Sequence, residues 1–290
     1  MRTQLPRIIT HNVSPHMWKL IRPGLLRAKP TFARKFTSPA SFSRVTATIA
    51  ATSLFLGGSL ILNDASNSSL AGVSVDSSID AFPLELNNKD IISSKYELVA
   101  SGVRSVTFVG FKVYGAGIYV QADDHKKLTT ILDEYSKLNK GRTVEQLLND
   151  KELSQEIIDD ISQKISYAIK ITPVRNTDYG HLRDGLTKSL LACPLTKTMR
   201  EEVGNGVEQL RNIFQGFKGS VPKNDTLWLV AEKDTVTVLH EGTKAKKVEK
   251  MGTITEPTMK RVLLVSYLSC VKPLSKPLQE NFVSHVSTEP

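Results

Sequence analysis

An arginine interrupts one of the strand-like stretches of the chain, GVRSVTFVGFKVYGAGIYV, which spans residues 102–120. The guanidinium of Arg104 keeps its charge when it is buried, because its pKa lies far above neutral pH. It therefore needs a carboxylate partner or an anionic ligand. Two roles follow: a structural ion pair, with Glu97 or Asp178 as the partner, or a site that binds a carboxylate or a developing oxyanion.

Two consecutive strands are predicted around this arginine, over residues 95–109 and 110–122, with a turn near Gly110. Alternation along the second strand divides its side chains between two faces. One face carries Lys112, Tyr114, Ala116, Ile118 and Val120, and the other carries Val113, Gly115, Gly117 and Tyr119. The two glycines remove side chains from one face, which predicts that a helix or a ligand approaches the sheet closely there.

The N-terminus is basic and contains no acid before Asp64. Nine of the 38 basic residues lie in residues 1–45, which leaves 29 basic and 29 acidic side chains in the remainder of the chain. Residues 1–44, rich in arginine and serine, are typical of a mitochondrial transit peptide, and a disordered basic tail is the alternative. The rest of the chain is neutral, which argues against a nucleic-acid-binding protein.

An uncharged apolar stretch, VTATIAATSLFLGGSLIL, follows at residues 45–62. Its length is at the short end for a membrane-spanning helix. After a transit peptide it predicts an anchor in the mitochondrial inner membrane or a sorting signal that is later removed, and a buried helix is the alternative. Residues 63–85 are rich in serine, aspartate and asparagine and are predicted to be a linker. The folded domain is predicted over residues 86–290.

Helical and strand-like patterns alternate along the rest of the domain. Helices are predicted at 123–163, 178–192, 197–216 and 258–271, a strand at 165–174 and a hairpin at 225–242. This order indicates an α+β domain with a helical layer on an antiparallel sheet. Cys193 and Cys270 have no catalytic or metal-binding spacing, and the sequence contains no metal-ligand cluster, phosphate loop or dinucleotide fingerprint.

Five stretches resemble, in order, segments of the chalcone isomerase family. They are GVRSVTF with GFKVYGAGIYV, GRTVEQLL, DYGHLRDGLTKSL, FKGSVPKNDTLWLVAEKDTVTVLHEG and GTITEPTMKRVLLVSYL, and they span residues 92–270. With its basic N-terminus and apolar stretch, the chain is most similar to the fungal mitochondrial branch, the altered-inheritance-of-mitochondria proteins with a chalcone isomerase domain. The resemblance implies an open-faced sandwich in which a helical layer covers an antiparallel sheet.

The resemblance also implies a cleft. In the plant enzymes an arginine holds the anionic substrate, a threonine and a tyrosine act through water on the enolate oxygen, and an asparagine fixes the substrate. Arg104 and Tyr179 match the arginine and the tyrosine. Tyr114 stands in place of the threonine and Leu186 in place of the asparagine, which argues against flavonoid cyclisation. The predicted ligand-binding cleft comprises these four residues; as an alternative, Tyr114 and Tyr179 are plain core aromatics.

An apolar cleft with an arginine suits a molecule that has a large apolar body and a carboxylate. The resemblance implies two such ligands, because fatty-acid-binding relatives occur in plastids and the fungal mitochondrial branch is associated with haem binding. We therefore expect a non-catalytic mitochondrial protein that binds haem. The alternatives are a fatty-acid-binding protein and an intramolecular lyase of the chalcone isomerase type acting on an unknown substrate.

A haem iron usually takes an axial ligand from the protein, and His181 and His240 are the candidates. His181 follows Tyr179 by two positions, so in a regular helix its side chain points about 200° away from that of Tyr179. His240 ends a predicted hairpin strand. For both histidines the alternative is a surface position. Arg175 and Arg183 flank Tyr179 and could assist an anion, although helix-cap or surface roles are the simpler interpretation.

Overall fold

The computed structural model describes residues 72–106 and 110–288. The predicted transit peptide (1–44) and membrane segment (45–62) lie outside the described residues. Within 72–106 and 110–288, no helix has both the length and the hydropathy required to cross a bilayer.

Eleven strands and seven α-helices make up the described part of the chain. The strands are β1 Gly72–Val73, β2 Phe82–Pro83, β3 Glu85–Leu86, β4 Tyr96–Val106, β5 Phe111–Gln121, β6 Tyr167–Pro173, β7 Thr177–Asp178, β8 Ser220–Val221, β9 Thr226–Glu232, β10 Thr235–Gly242 and β11 Lys247–Ile254. The helices are α1 His125–Leu138, α2 Val144–Leu148, α3 Lys151–Lys164, α4 Tyr179–Leu191, α5 Arg200–Gln215, α6 Thr258–Leu268 and α7 Lys276–Thr288.

Seven of the strands form one sheet in the order β11-β10-β9-β6-β5-β4-β3, and every neighbouring pair is antiparallel. The helices pack on one face of this sheet and share its large core, to which strand residues such as Ile118 and Ile169 and helix residues such as Leu132 and Leu264 contribute. The opposite face carries smaller clusters without helix residues, built around Phe82 and Trp228. The predicted α+β class is confirmed.

Residues 72–86 pack on the helix-free face, although most of them fall in the predicted linker (63–85). Phe82 is fully buried there, and Ile79 is 8% exposed. A Cβ atom added at Gly115 would lie 2.6 Å from Cδ1 of Ile79, and one added at Gly117 would lie 2.9 Å from Cδ2 of Phe82. The close approach expected at these glycines is therefore made by this N-terminal segment, and the folded domain begins before residue 86.

Helix α7, which the sequence pattern did not predict, packs directly on β4. A Cβ atom added at Gly102 would lie only 2.4 Å from the backbone nitrogen of Leu278 in this helix. Ser275 anchors the start of the helix, since its hydroxyl donates a hydrogen bond of 2.8 Å to the carbonyl of Val103. The strand that carries Arg104 is thus held in place by the C-terminal helix.

A β-bulge interrupts the pairing of β4 with β5 immediately after Arg104. Arg104 pairs with Tyr114 and Ser105 with Lys112, which leaves one residue of β5 unpaired. Bulges redirect neighbouring side chains and are common beside functional sites. Strict alternation of side chains therefore fails past Tyr114. Lys112 was predicted to share the face of Tyr114. It instead forms an ion pair of 2.7 Å with Asp76, which belongs to the segment that covers Gly115.

Candidate ligand-binding site

Arg104 and two tyrosines form a hydrogen-bonded chain at the end of the sheet. Nη1 of Arg104 donates a hydrogen bond of 2.9 Å to the hydroxyl oxygen of Tyr114. The hydroxyl groups of Tyr114 and Tyr267 are 2.7 Å apart. Burial raises the pKa of Tyr267 well above its ordinary value, and the neighbouring Tyr114 adds to the effect, so its phenol is neutral at physiological pH.

The guanidinium of Arg104 has no carboxylate partner among the described residues. The two acids proposed for an ion pair are engaged elsewhere, because Glu97 pairs with Lys95 and Asp178 pairs with His181. Burial opposes the charge of Arg104, but the oxygens of the two tyrosines more than offset this and raise its pKa. A partly buried cation with one hydrogen-bonding neighbour and four further N–H groups is suited to an anionic ligand.

A cavity of about 640 Å³ adjoins Arg104. Its size lies within the range of pockets that enclose small-molecule ligands. The end of the β4–β5 hairpin, the end of β6 and the first turns of α4 form its walls. Its apolar lining comprises Val106, Phe111, Val113, Ile171, Pro173, Leu182 and Leu186. Charged and polar groups line it at a few positions, chiefly Arg104, Arg175, Asp178 and His181.

The N-terminus of α4 places a histidine at this cavity. Asp178 caps the helix, accepting a hydrogen bond of 2.8 Å from the backbone N–H of His181 through Oδ1. Its other oxygen, Oδ2, lies 2.5 Å from Nδ1 of the imidazole of His181. The backbone hydrogen bond is the main cause of the lowered pKa of Asp178. The carboxylate orients the ring through Nδ1, which leaves Nε2 as the atom available to a ligand.

Tyr179 lies outside the cavity, although it was predicted to belong to the cleft. Its ring packs 5.6 Å from that of Phe217 and 5.5 Å from that of His240, measured between centroids. Because α4 begins at Tyr179, the helical rotation that brings His181 to the cavity turns Tyr179 toward α5 and β10. Tyr179 is therefore a packing residue, as the core-aromatic alternative states.

His240 is also outside the cavity. Nε2 of its ring lies 3.3 Å from Oδ2 of Asp225, and the side chain is largely buried rather than on the surface. Of the four residues predicted for the cleft, the structure brings Arg104, Tyr114 and Leu186 together at the cavity. Leu186 is 3% exposed and supplies apolar wall, with no group that could hydrogen-bond a substrate.

Two further residues shape the site, and one of them, Tyr267, was not predicted to do so. Tyr267, in α6, contacts Tyr114 through its hydroxyl group. Its phenol in the largely apolar stretch VLLVSYL was the available signal, because a buried hydroxyl needs a partner. Arg175 lies over the ring of Phe111, with Cζ 3.7 Å from the centroid, and donates to the carbonyl of Lys112. Arg175 was predicted as a possible aid to an anion, with a helix-cap or surface role as the simpler interpretation. Arg183, by contrast, pairs with Asp184.

Comparison with protein families shows where this architecture belongs. The family model described as chalcone isomerase like matches residues 94–283. The chain belongs to the chalcone isomerase-like family. That match includes every strand of the main sheet except β3, and it ends within α7.

Curated members of the chalcone isomerase-like family from fungi are similar along most of their length. Altered inheritance of mitochondria protein 18, mitochondrial, of Debaryomyces hansenii is 42% identical over 216 residues, which cover 72% of this chain and 73% of the relative. The proteins of the same name from Kluyveromyces lactis and Vanderwaltozyma polyspora are 37% and 36% identical, over 74% and 79% of this chain and 72% and 77% of theirs. These names support the predicted mitochondrial location.

A solved structure extends the comparison of the chalcone isomerase-like fold. The crystal structure of a fatty-acid binding protein of Arabidopsis thaliana aligns with a TM-score of 0.55 at 20% identity. The alignment covers 72% of this chain and 93% of the plant protein. At this identity the two proteins share the fold.

Proposed function

We propose that this chain is a mitochondrial ligand-binding protein of the chalcone isomerase-like family, and that haem is its ligand. The observation that carries the proposal is that Arg104 and His181 line the same largely apolar cavity. Arg104 is a cation without a carboxylate partner in the described part of the chain and can bind a propionate. His181 is an imidazole oriented through Nδ1 and can bind the iron.

The apolar walls account for the body of the ligand. Apolar side chains of the cavity wall exclude water from a flat apolar molecule. They belong to Phe111, Val113, Ile171, Leu182 and Leu186. Arg104 and Arg175, which both line the cavity, would hold its carboxylates, which suits the two propionates of haem. When bound, haem would supply a redox-active iron to the site.

His181 is the axial candidate that the geometry supports. Its pairing with Asp178 through Nδ1 is the arrangement usual for a metal-bound histidine, in which a carboxylate fixes the ring and raises its basicity. His240 lacks access to the cavity and already contacts Asp225 and Tyr179.

The absorption spectrum of the purified full chain, before and after addition of haem, tests this proposal. We expect a Soret band that is shifted and weakened in His181→Ala and unchanged in His240→Ala, which serves as the matched histidine control. Arg104→Met should weaken haem affinity without shifting the band. Absence of a band in the wild-type protein after haem addition would overturn the haem proposal.

Fatty-acid binding is the second candidate. The same cavity offers one carboxylate contact at Arg104 followed by an apolar wall, and the structurally similar plant protein is named as a fatty-acid binding protein. Extraction of the purified chain with organic solvent and mass spectrometry of the extract would reveal bound fatty acids. A fatty acid whose affinity depends on Arg104 but not on His181 would favour this function over haem binding.

An intramolecular lyase is the third candidate, supported by the guanidinium and phenol held together at Arg104 and Tyr114. These donors could stabilise an enolate oxygen. Leu186 gives a ring-bearing substrate no hydrogen bond. Cyclisation of a hydroxychalcone above the spontaneous rate, and its loss in Arg104→Ala, would establish this activity.

Anchoring in the inner membrane through residues 45–62 belongs to the same proposal. It is supported by the uncharged apolar composition of that stretch and by the mitochondrial names of the relatives. Retention of the protein in the membrane pellet after carbonate extraction of mitochondria is the expected result, and release into the supernatant would contradict it.

A further inference from the structure

A second cavity, of about 400 Å³, lies on the helix-free face of the sheet. It differs from the first in being lined mostly by polar groups, among them Asp80, Asn88, Thr172, Thr226 and Glu241. Strand β6 separates the two cavities, since Ile171 lines the first and its neighbours Lys170 and Thr172 line the second.

Lys170 is the unusual residue of this polar cavity. Its Nζ lies 5.1 Å from the ring centroid of Phe82 and 4.8 Å from that of Trp228. It forms no hydrogen bond or ion pair with any residue in the described part of the chain. An ammonium group has three N–H donors, so a largely buried lysine without an acceptor has one side open to whatever occupies the cavity.

We propose that Lys170 is a nucleophilic amine that forms an imine with small polar carbonyl compounds entering this second cavity. The two rings hold the amine at the cavity wall, and the polar lining favours a hydrophilic aldehyde or ketone over an apolar one. Buried lysines beside a cavity are the residues that proteins use for this chemistry.

The balance of charge around Lys170 supports the reactive, uncharged form. Burial lowers the pKa of Lys170, and the carboxylates of Glu241 and Asp80 oppose this only in part. Asp90 and Lys246 also line the cavity, and their opposite charges offset each other. The cation–π contacts with the two rings favour the ammonium form and oppose the effect of burial.

The reaction needs no further reactant. The lone pair of Nζ attacks the carbonyl carbon, a C–N bond forms, and the proton lost by nitrogen goes to the carbonyl oxygen. Loss of water from this carbinolamine breaks the C–O bond and gives the imine. The threonine hydroxyl groups of the cavity, Thr172 and Thr226, whose oxygens are 3.0 Å apart, lie where the departing water would be solvated.

The chain contains a matched control in Lys260. Burial lowers the pKa of Lys260 as well, but its Nζ donates a hydrogen bond of 2.9 Å to the carbonyl of Lys233, and it lines neither of the two cavities. A reaction that follows burial alone would label both lysines. A reaction that requires an open cavity would label only Lys170.

The test is reductive labelling of the full chain at pH 7 with glyceraldehyde and sodium cyanoborohydride, followed by peptide mass spectrometry. We expect Lys170 to be labelled several-fold faster than exposed Lys126, because its lowered pKa leaves more free amine, and faster than buried Lys260, because it lines an open cavity. The advantage should shrink at pH 10 and increase in Glu241→Gln. Labelling of Lys170 at or below the rate of Lys126 in the wild-type protein would overturn the proposal.

Discussion

Arg104 donates its one hydrogen bond within the described chain to Tyr114, its cross-strand partner, and no carboxylate balances its charge there. The protein thus maintains a cation at the end of an apolar cavity. The two tyrosine oxygens offset the burial of that charge, and the N–H groups that Tyr114 does not use are suited to an anionic ligand. An arginine that lines a cavity without a carboxylate partner is suited to a binding function.

Replacement of Arg104 by methionine should therefore separate stability from binding. We expect Arg104→Met to lower the free energy of unfolding by no more than about 1 kcal/mol, since one hydrogen bond to Tyr114 is lost while the apolar stem is kept. The affinity for carboxylate ligands should fall at least about tenfold with the loss of a charge-assisted hydrogen bond. Urea unfolding and ligand titration measure the two effects.

The exposed Arg211 of α5 provides the control, because Arg211→Met should leave both quantities unchanged. A large loss of stability in Arg104→Met would instead mean that the guanidinium is a structural element of the fold.

Removal of the hydroxyl group of Tyr267 should weaken ligand binding, although Tyr267 itself does not contact the ligand. In Tyr267→Phe the hydroxyl of Tyr114 loses its buried neighbour at 2.7 Å, and the position of Arg104 is less well fixed. A loss of about 1 kcal/mol in unfolding free energy is expected from one buried hydrogen bond. Calorimetry gives both the stability and the affinity.

Tyr119→Phe is the matched comparison, because its hydroxyl donates a hydrogen bond of 3.0 Å to the carbonyl of Pro83 on the helix-free face. The stability loss should be similar and the affinity unchanged. Equal affinities in Tyr267→Phe and the wild-type protein would show that Tyr267 has no positioning role.

The ion pair between Asp76 and Lys112 should make stability depend on pH in the acid range. Hydrogen bonds from Lys112, and then from Ser78, lower the pKa of Asp76 from 3.8 to about 2. Because this pKa is lower in the folded than in the unfolded protein, ionised Asp76 stabilises the fold above pH 4. That contribution is lost as the pH falls from 4 toward 2.

Urea midpoints of Asp76→Asn and the wild-type protein should therefore differ by a constant amount between pH 5 and 7 and converge below pH 4. In a Lys112→Met background the difference should be smaller at every pH, since the largest cause of the shift is absent. A difference that persists unchanged at pH 2.5 would contradict this assignment.

Gly102 should be intolerant of a methyl group. In Gly102→Ala the new Cβ would meet the backbone nitrogen of Leu278 at 2.4 Å, so α7 or β4 must move. We expect a loss of about 1–3 kcal/mol in unfolding free energy, the range found for overpacked interiors. Displacement of β4 should also weaken ligand binding at Arg104.

Gly204 on the exposed side of α5 has no atom within 4 Å of an added Cβ. Gly204→Ala should consequently stabilise the protein by about 1 kcal/mol, through helix propensity alone. Equal thermal denaturation midpoints for the two alanine variants would refute the close packing of α7 on β4.

Local patterns were sufficient to predict most of the elements. The alternation in residues 165–174 and the N-cap at Asp178 correspond to β6 and to the start of α4, because both depend on neighbouring residues in the chain. The burial of Phe82 could not be predicted in the same way. A serine- and aspartate-rich composition indicates a linker, whereas the docking of residues 72–86 depends on the bare surface that Gly115 and Gly117 leave on a distant strand.

The candidate site also combines features that neighbouring residues determine with features that depend on distant packing. Periodicity predicted that His181 and Tyr179 point in opposite directions, but it could not determine which of them faces the cavity, since that depends on how α4 rotates against the sheet. The family resemblance favoured Tyr179, and the structure places His181 there. The bulge after Arg104 was also unpredictable, because it belongs to the pairing of two strands and not to either strand alone.

Two wall residues of the cavity, Val106 at the end of β4 and Phe111 at the start of β5, are exposed and lie outside the core. Substitutions at such positions alter what the cavity accepts with little effect on folding. Natural selection can therefore exchange one ligand for another, or catalysis for storage, by changes at these positions while the sheet and its helical layer are conserved. The architecture separates the part of the protein that must persist from the part that is free to diverge.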